Sequence, residues 1–211
     1  MFSAVGTERG SKLPFSVDGA PNRDSPQRQG ASKIVAPVWP GYRPPMPAVR
    51  HASFAPHAAP DTRLLILGSL PGARSLAEQR YYAHPTNQFW RLVGDVIDQP
   101  LAGLSYDKRL GALREAKVGL WDAIRTAERR SSSDSHIRDA EAQNLAALMA
   151  ILPDLRMIAF NGGTAAAVGR RQLPPLASVA LIDLPSSSAA NTRGYAAKLE
   201  AWGSLRAALT D

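Results

Sequence analysis

The chain has 211 residues, no cysteine, four histidines and a formal charge of +7. Without thiols there are no disulfides, thiolate nucleophiles or cysteine-held zinc or iron–sulfur clusters. The histidines, at positions 51, 57, 84 and 136, show no metal-ligand spacing, so no metal is expected. A basic balance favours polyanionic partners; no run approaches the ~20 apolar residues of a membrane span, and no signal-peptide core is present, which reads as a soluble, cytoplasmic protein with no membrane contact.

Residues 1–55 are rich in Pro, Ser, Gly and Arg, with aromatic residues at no regular period. Such a composition is too poor in apolar side chains to build a core, and predicts a disordered N-terminal tail followed by one domain over residues 56–211. The first strand is expected over 63–67, ending in Gly68-Ser69-Leu70-Pro71-Gly72. A helix over 87–97 follows, with Phe89, Leu92, Val93, Val96 and Ile97 at the spacing of one apolar face. A second amphipathic stretch spans 107–116, a second strand 118–124, a polar, basic loop 125–138 and a helix 140–151. The third strand, 156–160, runs into Asn161-Gly162-Gly163 and a short helix. A fourth strand over 179–184 opens into a serine loop before a helix over 195–209.

Strands that alternate with helices imply an α/β fold, a three-layer α/β/α sandwich around a four-stranded, mainly parallel sheet. Its strand-end loops gather along one edge, where open α/β sheets bind ligands. Ser69, Tyr82, His84 and Asn87 follow the first strand, Asp122 the second, Asn161 the third, and Ser186 to Asn191 the fourth. The glycine-hinged first loop lets backbone amides approach a ligand, but it is neither a dinucleotide fingerprint nor a phosphate loop. Taken alone, these residues also fit a hydrolase with Ser69 as nucleophile, although a G-x-S-x-G elbow is missing.

Read together, G-S-L-P-G, the block Y-Y-A-H-P-T-N-Q-F-W at 81–90, the block G-L-W-D-A-I at 119–124 and L-P-S-S-S-A-A-N at 184–191 resemble the uracil-DNA glycosylase superfamily. The resemblance is to its hypoxanthine-DNA (deoxyinosine) glycosylase branch and covers roughly residues 53–208. It implies a monofunctional DNA repair glycosylase that, without metal or organic cofactor, flips a deaminated base, hypoxanthine or alternatively uracil, and hydrolyses its glycosidic bond with water. The partner implied is DNA containing deaminated bases, met as a monomer and, in a bacterial cell, at the nucleoid. A catalytically silent DNA-binding module of the same fold is the alternative.

The resemblance assigns Tyr82 to stack on the base. Leu70 stands where related first loops carry a water-positioning Asn, which leaves Asn87 as the catalytic candidate, in competition with a helix-capping role. Gly68, Ser69, Leu70, His84 and Asn161 complete the expected base-binding set. Ser186, Ser187, Ser188, Asn191 and Arg193 form the expected DNA-binding set, and Lys198, Arg125, Arg129 and Arg130 are further candidates for phosphate contacts. Asp122, at a strand end, is expected to cap the next element or bind loop amides. The domain's lysines lie outside the first-loop block, and direct attack by water is therefore expected rather than a Schiff base.

Overall fold

Residues 49–210 are described in a computed structural model of the chain; of the tail expected over 1–55, residues 1–48 lie outside the described residues. In chain order the strands are β1 (Val49–Ala52), β2 (Leu64–Gly68), β3 (Val118–Asp122), β4 (Ile124–Arg129), β5 (Ile137–Ala142), β6 (Met157–Asn161) and β7 (Ala180–Leu184). The helices are α1 (Ala73–Glu78), α2 (Phe89–Ile97), α3 (Tyr106–Glu115), α4 (Leu145–Met149), α5 (Gly163–Arg170) and α6 (Tyr195–Gly203).

The central sheet has the order β3-β2-β6-β7, and each neighbouring pair is parallel. Both faces of β2 are buried, which is why its sequence is an unbroken apolar run rather than an alternating one. Leu64 and Ile66 face a cluster with Phe89, Val93, Leu113 and Trp202 from α2, α3 and α6. Leu65 and Leu67 face the opposite cluster, with Leu145 and Leu148 of α4 and Ala165 and Ala166 of α5. Helices on both sides of the sheet make the expected three layers. Among the described residues no helix is long and apolar enough to cross a membrane.

The chain departs from the sequence reading between β3 and α4. The second strand breaks after Asp122, and the stretch expected as a polar loop is an antiparallel hairpin, β4 against β5, with β1 on its other side. The inward side chains of β4 are Ile124, Ala127 and Arg129, so only two of its three core positions are apolar. β5 is almost wholly exposed, and its last three residues, 140–142, occupy the start of the helix expected over 140–151. Pairing to β4 overrides their helical propensity, and the helix starts only at Leu145, capped by Asn144.

β1 also lies within the stretch read as tail. Ser53 N donates to Arg125 O, Trp121 Nε1 donates to Phe54 O, and Phe54 packs edge-on against Tyr81. The folded part therefore includes residues 49–55. At the other end, the helix expected over 195–209 is α6 followed by a separate 3-10 turn, Ser204–Ala208.

Candidate active site

Parallel pairing places Gly68 opposite Asp122 and Asn161 opposite Leu184, so the ends of β3, β2 and β6 lie abreast at the carboxyl edge. A cavity of about 630 Å³ opens over that edge, within the size range of small-ligand sites. The loops after β2, β6 and β7 line it, together with the tip of the β4–β5 hairpin. Gly68, Ser69, Leu70, Tyr82, His84, Asn87, Asn161, Ser186, Ser187, Ser188 and Asn191 all contribute to the wall, and Arg193 does not.

Tyr82 lies at the base of this cavity in left-handed backbone (φ 51°), a conformation that costs a non-glycine residue of the order of 1 kcal/mol. Its ring stacks on Phe89 at 3.6 Å between centroids and 10° between planes, which fixes the ring as a flat platform. The phenol oxygen accepts a hydrogen bond from Asn161 Nδ2 at 3.2 Å. Burial, with the nearby Asp122 carboxyl adding to it, keeps the phenol protonated far above its ordinary range.

Gly68 explains how a ring and a carboxyl can share this floor. A Cβ there would stand 2.6 Å from Asp122 Oδ1 and 3.1 Å from Tyr82 Oη, so only glycine leaves them room. Asp122 is 3% exposed and accepts the Ser53 hydroxyl on Oδ2 at 2.7 Å. No loop amide binds it, contrary to expectation, and Oδ1 has no partner among the described residues. Its carboxyl is pushed up to about 7, chiefly by burial; the Ser53 hydrogen bond and the Arg129 charge oppose the rise, and Asp134 adds to it.

Asn161 is a brace. One amide hydrogen goes to Tyr82 and the other to Ser187 Oγ at 2.9 Å, while Oδ1 accepts Ser187 N–H at 2.8 Å. Both donors are thus committed, and the expected reading of a base edge by this amide has no free hydrogen to use in this arrangement. The next residue, Gly162, adopts φ 105°, and a Cβ there would meet Ser186 Cβ at 3.0 Å. The turn holds the serine loop against the end of β6.

Asn87 accepts Phe89 N–H on Oδ1 at 3.0 Å and so closes the start of α2. That single bond leaves Nδ2 and a second lone pair of Oδ1 available at the cavity wall. The next residue ties this wall to the serine loop, because Gln88 N donates to Ser187 O at 3.0 Å. Thr86 is occupied with His84, whose Nδ1 accepts Thr86 N–H at 3.3 Å and lies 2.9 Å from Thr86 Oγ1. A neutral ring with Nδ1 accepting carries its hydrogen on Nε2, an exposed donor at the cavity mouth.

Several expected contact residues take other roles. Leu70 turns its side chain into a small cluster with Ile124 and Ala127 and also contributes to the cavity wall. Ser187 is fully buried and anchors the loop through Asn161. Ser186 and Ser188 accept the backbone N–H groups of Ser188 and Ala190, and their hydroxyl hydrogens remain free to donate. Asn191 Oδ1 is taken by Arg193 N–H, while the Arg193 side chain is exposed away from the cavity wall.

Two cations expected at the surface are buried. Arg129, 3% exposed, donates to the carbonyls of Leu70 and Pro71 and fastens the first loop to the hairpin. Lys198, 1% exposed, donates to Gln88 Oε1 and to the carbonyls of Ser188 and Asn191. It is a post beneath the serine loop and lies outside the cavity wall. Ser132, Ser133, Asp134 and Ser135 at the hairpin tip line the cavity and were missing from the expected set. Their polar run was visible in the sequence, but the fold-back that brings it over the site was not.

This edge, with an aromatic platform, a braced asparagine and a serine loop, belongs to a nucleobase-handling fold. The sequence model of the "Uracil DNA glycosylase superfamily" matches residues 55–206, and the chain belongs to that family. It is 41% identical over 136 residues to a hypoxanthine DNA glycosylase of Methanosarcina acetivorans, covering 63% of this chain and 83% of the relative. It is 40% identical over 114 residues to a hypoxanthine DNA glycosylase of Methanosarcina barkeri, covering 54% and 72%. A solution NMR structure from Methanosarcina acetivorans, provisionally described as a uracil DNA glycosylase, superposes with a TM-score of 0.66 at 35% identity, covering 76% of this chain and 99% of that one.

Proposed function

We propose that the protein is a monofunctional DNA glycosylase. It draws a deaminated nucleotide into the cavity and hydrolyses the bond between sugar and base, leaving an abasic site. Hypoxanthine in deoxyinosine is the main substrate and uracil a second. The observation that carries this reading is the Tyr82–Phe89 stack beneath a cavity that is also walled by Asn87 and the serine loop. A flipped base loses its stacking neighbours, and a fixed ring replaces them.

Glycosidic cleavage builds positive charge on the sugar, so a water held in place at C1′ is sufficient as nucleophile without a strong base. The unengaged Asn87 Nδ2 is suited to hold such a water. His84 Nε2 and the backbone amides of the Gly68–Gly72 loop supply hydrogen-bond donors toward the departing base. Ser186 and Ser188 offer hydroxyl donors to the phosphates on either side, with Asn191 and Arg193 at the outer end of the same loop. The buried Lys198 lies outside the cavity, which supports direct hydrolysis over an amine-linked intermediate.

The test is incubation with oligonucleotides containing a single inosine or uracil, followed by alkali. Cleavage at inosine is the expected result. An intact strand, with retained binding to the same oligonucleotide, would instead identify a silent DNA-binding module.

A further inference from the structure

Among the described residues no cation is in hydrogen-bond contact with the buried Asp122 carboxyl, which lies on the floor of a cavity whose wall also carries Arg74, His84 and Asp134. One oxygen is satisfied by Ser53; the other, Oδ1, has no hydrogen bond among the described residues and stands beside the unsubstituted Gly68 and the Tyr82 phenol. Asp122 lines the cavity, where a carboxyl lone pair is open to a donor from outside the protein. Such an atom facing a site is an acceptor kept for a ligand. The neighbouring amide that could otherwise read a base, Asn161, has spent both hydrogens on Tyr82 and Ser187.

Deamination makes one change common to both substrates of the reading above. Adenine carries a lone pair at N1 and hypoxanthine an N–H; cytosine carries a lone pair at N3 and uracil an N–H. A single fixed acceptor therefore separates each damaged base from its parent. It gains a hydrogen bond from the lactam N–H and opposes the lone pair of the undamaged base.

We propose that Asp122 is the specificity-determining residue of the site, its Oδ1 accepting the ring N–H that deamination creates. This inference rests on the glycosylase reading. Tyr82 holds the base plane, Gly68 clears the approach, and Ser53 fixes the carboxyl so that Oδ1 faces the cavity. The groups facing the carboxyl are Ser53, Tyr81, Tyr82, Asp134 and Arg129; burial is the largest influence, and together they bring it to about 7. Ionised Asp122 only accepts, whereas neutral Asp122 can also donate to the adenine lone pair. Discrimination against adenine accordingly sharpens as the pH rises through about 7.

The experiment compares single-turnover base release from duplexes carrying inosine or adenine opposite thymine, for the full chain and for Asp122→Asn. The amide keeps an oxygen for Ser53 and offers N–H where Oδ1 stood. Inosine release is expected to fall at least ~100-fold while the inosine-to-adenine ratio collapses, since a site built for one hydrogen-bonding edge rejects its complement strongly. Equal loss on both bases, or unchanged inosine release, would overturn the assignment. A second arm uses the unaltered protein and binding alone. A duplex with non-hydrolysable 2′-fluoroarabino-inosine should bind at least ~10-fold tighter than one with nebularine, whose N1 bears a lone pair; equal affinity overturns the proposal. Should the unaltered protein release no inosine, the glycosylase reading fails, and the binding arm still decides the role of Asp122.

Discussion

The burial of Asp122 has a consequence for folding that can be measured without any DNA. Its carboxyl rises from 3.8 to about 7 on folding, because the charged form is stripped of water and receives only the Ser53 hydroxyl in return. Between those two values the folded protein holds a proton that the unfolded chain has released. The stability linked to this group is therefore complete below about pH 4 and is lost as the pH rises through 7. Three pKa units correspond to roughly 4 kcal/mol, an upper bound on the cost of keeping the charge buried at pH 8. Asp122→Asn retains the shape and removes the charge. Urea denaturation of both proteins from pH 4 to 8.5 should show their curves close together at the acid end. The variant should gain steadily on the parent with rising pH, by up to ~4 kcal/mol. A difference that stays constant across this range would refute the buried, unpaired carboxyl.

Asn87 combines a capping bond with a proposed catalytic one, and two substitutions separate them. Asn87→Asp keeps the oxygen that accepts Phe89 N–H and should melt close to the parent, while inosine release falls by ~100-fold or more; Asn87→Ala loses activity and also ~1 kcal/mol of stability. Full activity in the aspartate variant would reduce the residue to a cap. Gly68→Ala forces a methyl to within 2.6 Å of Asp122 Oδ1 and should cost about 1–3 kcal/mol in denaturation, together with base release. Arg129→Met leaves the Leu70 and Pro71 carbonyls without their buried donor. It should lower stability by about 1–3 kcal/mol and raise KM for DNA more than it lowers kcat; an unchanged KM would show that the first loop needs no anchor.

The two central strands of the parallel sheet, β2 and β6, were legible because they are short apolar runs buried on both faces and ending in glycine or asparagine. The same signal failed for the hairpin. β4 turns Arg129 inward, and β5 turns almost nothing inward, so neither carries the alternation that marks a half-buried strand. Of the site, Tyr82, Asn87 and the serine loop could be placed on the cavity wall from strand order and motif alone. The inversion of Arg129 and Lys198 from surface charges to buried anchors could not, because their partners are backbone carbonyls of distant segments. Asp122 shows the same limit. What makes it unusual is the meeting of Ser53, Gly68 and Tyr82, three positions that the sequence keeps apart.

The most direct measurement is a crystal structure of the protein with a duplex containing 2′-fluoroarabino-inosine. The inosine should be found outside the helix, its base lying on Tyr82 with N1–H directed at Asp122 Oδ1. Ser186 and Ser188 should contact the flanking phosphates, and a water should sit on Asn87 Nδ2 facing C1′. An inosine still stacked within the duplex, or a base lodged away from Tyr82 with Asn87 dry, would contradict the proposal.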